Sequence, residues 1–86
     1  VPVGVGHHDH ASDSHSVLIK NLIQNGELGQ IVAVEATTCH SGSYHIRGGD
    51  WRGDPGKNPG GFLFQCGVHK IHELMFYLGP ICRVSA

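Results

Sequence analysis

Residues 13–38 read DSHSVLIKNLIQNGELGQIVAVEATT, and this stretch decides the fold class. Val17, Leu18, Leu22 and Ile23 keep helical spacing, and Ser12, Asp13 or Ser14 is placed to cap the amino end. Asn25-Gly26 supplies a stop, with glycine where the chain must turn left-handed. The spacing predicts a helix over 13–25. Glu27-Leu28-Gly29 is a tight link into 30–39, where Ile31, Val32, Val34 and the threonines are strand formers. Helix, glycine turn and strand in succession predict an α/β (α+β) chain.

Working outward, Val1 to Val5 (VPVGV) reads as a short buried strand and 81–86 as the start of another. More than half of the 13 glycines fall within 40–61, together with Pro55 and Pro59, so that segment is a long loop. Trp51 beside Arg52 argues that the loop is ordered and functional, because a tryptophan in a free linker exposes a large apolar area. Asn58-Pro59-Gly60-Gly61 opens a second helix, 61–78, closed by Gly79-Pro80. At about 100° per residue, Leu63, Phe64, Gly67, Val68, Ile71, Leu74, Met75 and Leu78 share one side, the expected core face. Gln65, His69, His72 and Glu73 form a polar stripe opposite. The total is about two helices and three strands.

Composition sets the class. The chain has 86 residues, 40% of them hydrophobic and 15% charged, which is globular but poor in charge against a usual fraction of about 25%. At this length the core is thin and a complete two-domain enzyme is excluded. Lys plus Arg number 6 against 7 for Asp plus Glu, leaving no basic stripe for a phosphate backbone, so nucleic acid is not an expected partner. No stretch approaches the roughly 18 apolar residues of a membrane span, and no membrane partner is expected. Cys39, Cys66 and Cys82 lack any C-x-x-C pairing and fit neither a disulfide framework nor a cysteine zinc site, which favours a reducing, cytoplasmic setting. Val3-Gly4-Val5-Gly6 is followed by Asp9 where the dinucleotide fingerprint has its last glycine, so that fingerprint is absent.

The 8 histidines are the compositional excess to explain. The polar stripe of the second helix has three readings: a solvated face, a metal site, or a general acid/base. The metal reading places His69 and His72 one turn apart beside Glu73, with His40 or His45 completing the set. The acid/base reading has one imidazole exchanging a proton near neutral pH, with Gln65 one turn earlier to orient it or the substrate. His7, His8, His10 and His15 precede the first helix and read as solvated, and His45 next to Tyr44 is accounted for by a surface loop. Cys66 with His69 is a weak nucleophile pair, because a mid-helix thiol lacks the helix N-terminus that lowers its pKa.

The ordered set Gly26-Glu27-Leu28-Gly29-Gln30-Ile31, Gly49-Asp50-Trp51-Arg52-Gly53-Asp54-Pro55, Gly60-Gly61, Gly67-Val68-His69 and Leu78-Gly79-Pro80 resembles the Gfo/Idh/MocA family of NAD(P)-dependent oxidoreductases, which includes glucose-fructose oxidoreductase and inositol dehydrogenase. The resemblance implies a fragment of the C-terminal open-sheet domain of a two-domain Rossmann-type dehydrogenase. Residues 1–10 would be the end of the nucleotide-binding domain or a linker, and 11–86 the first, incomplete part of the substrate-binding and dimerisation domain. It implies NAD or NADP, bound mainly by a domain expected upstream of residue 1, and a sugar, cyclitol or related polyol as substrate. It also implies a homo-oligomer formed through the sheet. His69 would take the place of the catalytic histidine, with Gln65 orienting it and His72, Arg52, Trp51 and His45 near substrate. Many members carry aspartates four residues before and three after that histidine, where this chain has Gln65 and His72. The fragment alone is expected to be inactive. The competing expectations are a non-enzymatic binding or dimerisation domain and a histidine metal site.

Overall fold

The computed structural model describes residues 1–4, 6, 10–39 and 49–86. They divide into two compact units, the first made of 1–34 and 72–86 and the second of 35–71.

In the first unit, helix α1 spans Ser14–Gln24. Asp13 is its N-cap in extended conformation, and its carboxylate accepts the Ser16 backbone N–H at 2.7 Å, satisfying one of the orphan donors of the first turn. The carboxyl end is a Schellman closure: Glu27 N–H donates to Leu22 O at 3.0 Å and Gly26 N–H to Ile23 O at 3.1 Å. That closure needs a left-handed residue after the cap, and Gly26 supplies it with φ 74°.

In the second unit, a 3₁₀ turn spans Trp51–Gly53, with Asp50 accepting the Arg52 N–H at 2.9 Å. Asp54 then folds the next turn, its side chain accepting from Gly56 N–H and its carbonyl from Asn58 N–H at 2.8 Å. The helix over 61–78 starts as expected but is not uniform. It passes through a π-helical turn, Leu63–Gly67, before becoming regular as α2, Val68–Leu78, of which residues 72–78 belong to the first unit. A π turn takes more residues per revolution than an α turn, so Gln65 departs from the strict 100° wheel that aligned it with His69. Gly79, φ 90°, ends α2 by donating to Met75 O at 2.9 Å.

The α/β expectation with three strands is overturned. The described residues contain two α-helices and no strand, and an open sheet is not formed. A strand exists only through ladder bonds to a neighbour and the covering of one face, so β-branched residues are not sufficient on their own. Val32 and Val84, in two of the expected strands, are 87% and 78% exposed. The expected apolar core face of the second helix is not covered either, with Leu63 and Phe64 at 73% and 74% exposure. Among the described residues, the buried ones are polar: His10, Ser16 and Asn58, at 8%, 6% and 5% exposure. Buried polar groups must find hydrogen-bond partners, and it is these bonds that organise each unit.

Candidate functional site

Most of the predicted site residues lie in the second unit. Its organising centre is the backbone carbonyl of Arg52, which accepts from Asn58 Nδ2 at 2.8 Å and from Gln65 Nε2 at 3.4 Å. One buried asparagine and the glutamine from the π turn therefore fix the loop that carries Trp51 and Arg52. The Arg52 guanidinium lies over the Trp51 ring, Cζ 4.7 Å from its centre, a cation–π arrangement. Arg52 Nη1 also approaches Asp50 Oδ1 at 3.5 Å, which holds the guanidinium at one end. Trp51 remains about half exposed. His69 is exposed in the first turn of α2, four residues after Gln65. Gln65, Trp51 and Arg52 are thus brought together through one carbonyl. The hydrogen bond of Gln65 goes to Arg52 rather than to an imidazole.

The helix opening is tight. A Cβ on Gly60 would meet Phe64, with Cγ 2.9 Å away and Cβ closer still. Absence of a side chain at Gly60 is therefore required for Phe64 N–H to reach Gly60 O at 3.1 Å.

His72 belongs to the first unit. Its ring packs on that of His10 with centroids 5.3 Å apart, tilted by 47°, and His10 also meets the Phe76 ring at 5.9 Å. Lys20 Nζ sits 4.1 Å above the Phe76 ring. His10 Nδ1 lies 3.4 Å from Ser16 Oγ, and Tyr77 O–H reaches both Ser16 Oγ at 3.3 Å and Glu73 Oε1 at 3.2 Å. Hydrogen bonds from Ser16, its hydroxyl first and then its backbone N–H, hold the Asp13 carboxyl below the usual aspartate value. His10, expected to be solvated, is instead buried against Ser16 of α1 and the His72 and Phe76 rings, all within this unit. No local signal in 7–16 shows this, because the ring contacts, with His72 and Phe76, come from residues about sixty positions away. Asn58 was likewise missed, since N-P-G reads only as a turn.

His45 lies outside the described residues, as does His40. Among the described residues, no group of three or more His, Cys, Asp or Glu side chains is disposed to hold a metal ion. The three cysteines are unbridged. Among the described residues, no helix is long and apolar enough to cross a membrane. The described residues also do not form a dinucleotide cradle. The amino end of α1 is closed by the Asp13 carboxylate, which would repel a pyrophosphate, and the space beside Gly60 is filled by Phe64.

The chain belongs to the GFO/IDH/MocA family: the pattern of the GFO/IDH/MocA C-terminal domain matches residues 17–86. That is a family of oxidoreductases, generally NAD(P)-dependent. No curated protein and no solved structure matches the chain.

Proposed function

We propose that this chain is the substrate-handling part of an NAD(P)-dependent oxidoreductase that acts on a CH–OH group of a sugar, cyclitol or related polyol. The family match over 17–86 is the observation that supports this reading. Oxidising the alcohol carbon releases a hydride and a proton. NAD or NADP is the family's hydride acceptor, and in this reading it is bound mainly by residues outside this chain. The residues here are assigned the proton and the substrate.

His69 is the acid/base: a neutral imidazole takes the hydroxyl proton as the carbonyl forms, and returns it in the reverse direction. Its exposed position on α2 suits a group that must meet a ligand. Gln65 orients the reacting groups, and its tie to Arg52 O immobilises the amide from which it does so. Trp51 offers an aromatic face to the apolar CH side of a sugar ring, while Arg52, His72 and His45 serve as hydrogen-bonding contacts to hydroxyls. Residues 1–10 are assigned to the end of a nucleotide-binding domain or a linker, and 11–86 to the beginning of the substrate domain. Association into a homo-oligomer belongs to this reading and suits the exposed apolar side chains of the described residues. A reducing, cytoplasmic setting suits the unbridged cysteines. The test is His69→Ala in the complete enzyme carrying this segment. Turnover of polyols with NAD or NADP should fall by about 10² or more, the usual weight of a general acid/base, with helix content unchanged. Unchanged turnover removes the assignment.

A further inference from the structure

Arg52 is tethered at its backbone and at one end of its side chain. Its N–H donates to Asp50 Oδ1 at 2.9 Å, and its carbonyl accepts from the Asn58 and Gln65 amides at 2.8 and 3.4 Å. Its Nη1 lies 3.5 Å from the same Asp50 oxygen, and the guanidinium is spread over the Trp51 ring. An arginine in solution loses much rotamer freedom when it grips a ligand, whereas this one is already ordered by its neighbours. A guanidinium carries five N–H donors in a planar fork. Among the described residues only Nη1 has a hydrogen-bond partner, so the Nε–Nη2 edge is uncommitted. Asp54, the other acid of this turn, is engaged by Gly56 N–H and Lys57 Nζ. The Arg52 side chain is also more than a third exposed, which keeps it within reach of a ligand from solution.

We propose that Arg52 recognises a carboxylate on the substrate, so that the preferred ligand is a sugar acid, a hexuronate or an aldonate, rather than a neutral polyol. Two coplanar carboxylate oxygens match the two N–H bonds along one guanidinium edge, a bidentate, charge-assisted pairing that a hydroxyl cannot make. Asp50 selects among anions. Its own negative charge, 3.5 Å from Nη1, offsets much of the arginine charge, so a monoanion is accepted and a dianionic phosphate is disfavoured. The Trp51 ring, 4.7 Å from Cζ, keeps water from one face of the guanidinium and strengthens the pairing. The proposal rests on the reading of Trp51 and Arg52 as substrate contacts and narrows it, from a hydroxyl at Arg52 to a carboxylate.

Trp51 is the single tryptophan of the chain, and the guanidinium lies over its ring, so its fluorescence reports on ligands at Arg52. The measurement is a titration of the full chain with glucuronate, glucose, glucose 6-phosphate and acetate at one pH and ionic strength. Glucuronate should shift Trp51 emission with a half-saturation about tenfold lower than that of glucose, the weight of a charge-assisted hydrogen-bonded pair. Arg52→Gln should bring glucuronate to the level of glucose. Arg52→Lys, which keeps the charge without the fork, should lose most of the preference. Both variants retain the backbone groups that bind Asp50, Asn58 and Gln65, and the comparison of ligands on the wild-type chain needs neither. Equal half-saturation for glucuronate and glucose overturns the proposal and leaves the polyol reading standing. Tighter binding of glucose 6-phosphate overturns it in favour of a phosphate site, and acetate acting as well as glucuronate reduces it to an adventitious ion only. No response to any of the four overturns it together with the placing of Trp51 and Arg52 at the substrate.

Discussion

The most direct structural prediction contrasts two glycines that flank the same turn. A Cβ at Gly67 would lie 2.5 Å from Leu63 Cδ1, the far end of an exposed and flexible side chain that can rotate away. Gly67→Ala should therefore keep most of the helix-propensity gain of alanine over glycine, about 0.5–1 kcal/mol. At Gly60 the obstacle is Phe64 Cβ, which is attached to the backbone, with Cγ at 2.9 Å. No rotamer change relieves that contact, so the opening turn must shift and the hydrogen bond from Phe64 N–H to Gly60 O must stretch. Overpacking of this kind costs about 1–3 kcal/mol. The two variants should differ by roughly 2–3 kcal/mol, with opposite signs relative to wild type. Urea unfolding followed by circular dichroism at 222 nm measures this. With a slope of about 1 kcal/mol per molar for a small protein, the midpoints should separate by about 2 M. Coincident midpoints, or Gly67→Ala less stable than Gly60→Ala, would refute the reasoning about which neighbour can give way.

Asp13 gives an acid dependence with a defined sign. Its carboxyl is held below the usual value in the folded chain, so its contribution to α1 is complete above the unfolded value of about 3.9 and is lost as pH falls through the lower folded value. Helicity should show an acid-induced loss in wild type that is smaller in Asp13→Ala, as read by circular dichroism between about pH 6 and pH 2; identical acid limbs would contradict this. Asn58→Ala removes a buried donor from Arg52 O and should free the Trp51 loop at a cost of about 1–2 kcal/mol. Trp51 fluorescence should then become more accessible to acrylamide quenching, and an unchanged quenching constant would count against the loop being fixed by Asn58.

The two helices were legible because their ends are written locally. Asp13 caps α1, Asn25-Gly26 closes it, and Gly79-Pro80 ends α2, each through contacts within a few residues. The strands were not legible as strands. Ile31, Val32 and Val34 have the right propensity, but a ladder needs a partner, and none is paired among the described residues. The π turn escaped the 100° wheel, which assumes uniform pitch. In the candidate site, the Trp51-Arg52 and Gln65 motifs were visible in sequence, whereas their common anchor, the carbonyl of Arg52, was not. Backbone groups carry no sequence signature. His10 illustrates the same limit, since its burial depends on Ser16, His72 and Phe76, and only the fold brings those residues to it.

The central claim is that His69 handles the proton of an alcohol oxidation. The measurement that tests it most directly is the pH profile of kcat/KM for polyol oxidation by the complete enzyme carrying this segment, compared with His69→Ala. Wild type should show an ascending limb set by one imidazole, and the variant should lose that limb along with about 10² or more in rate. A variant that keeps both the limb and the rate would contradict the account.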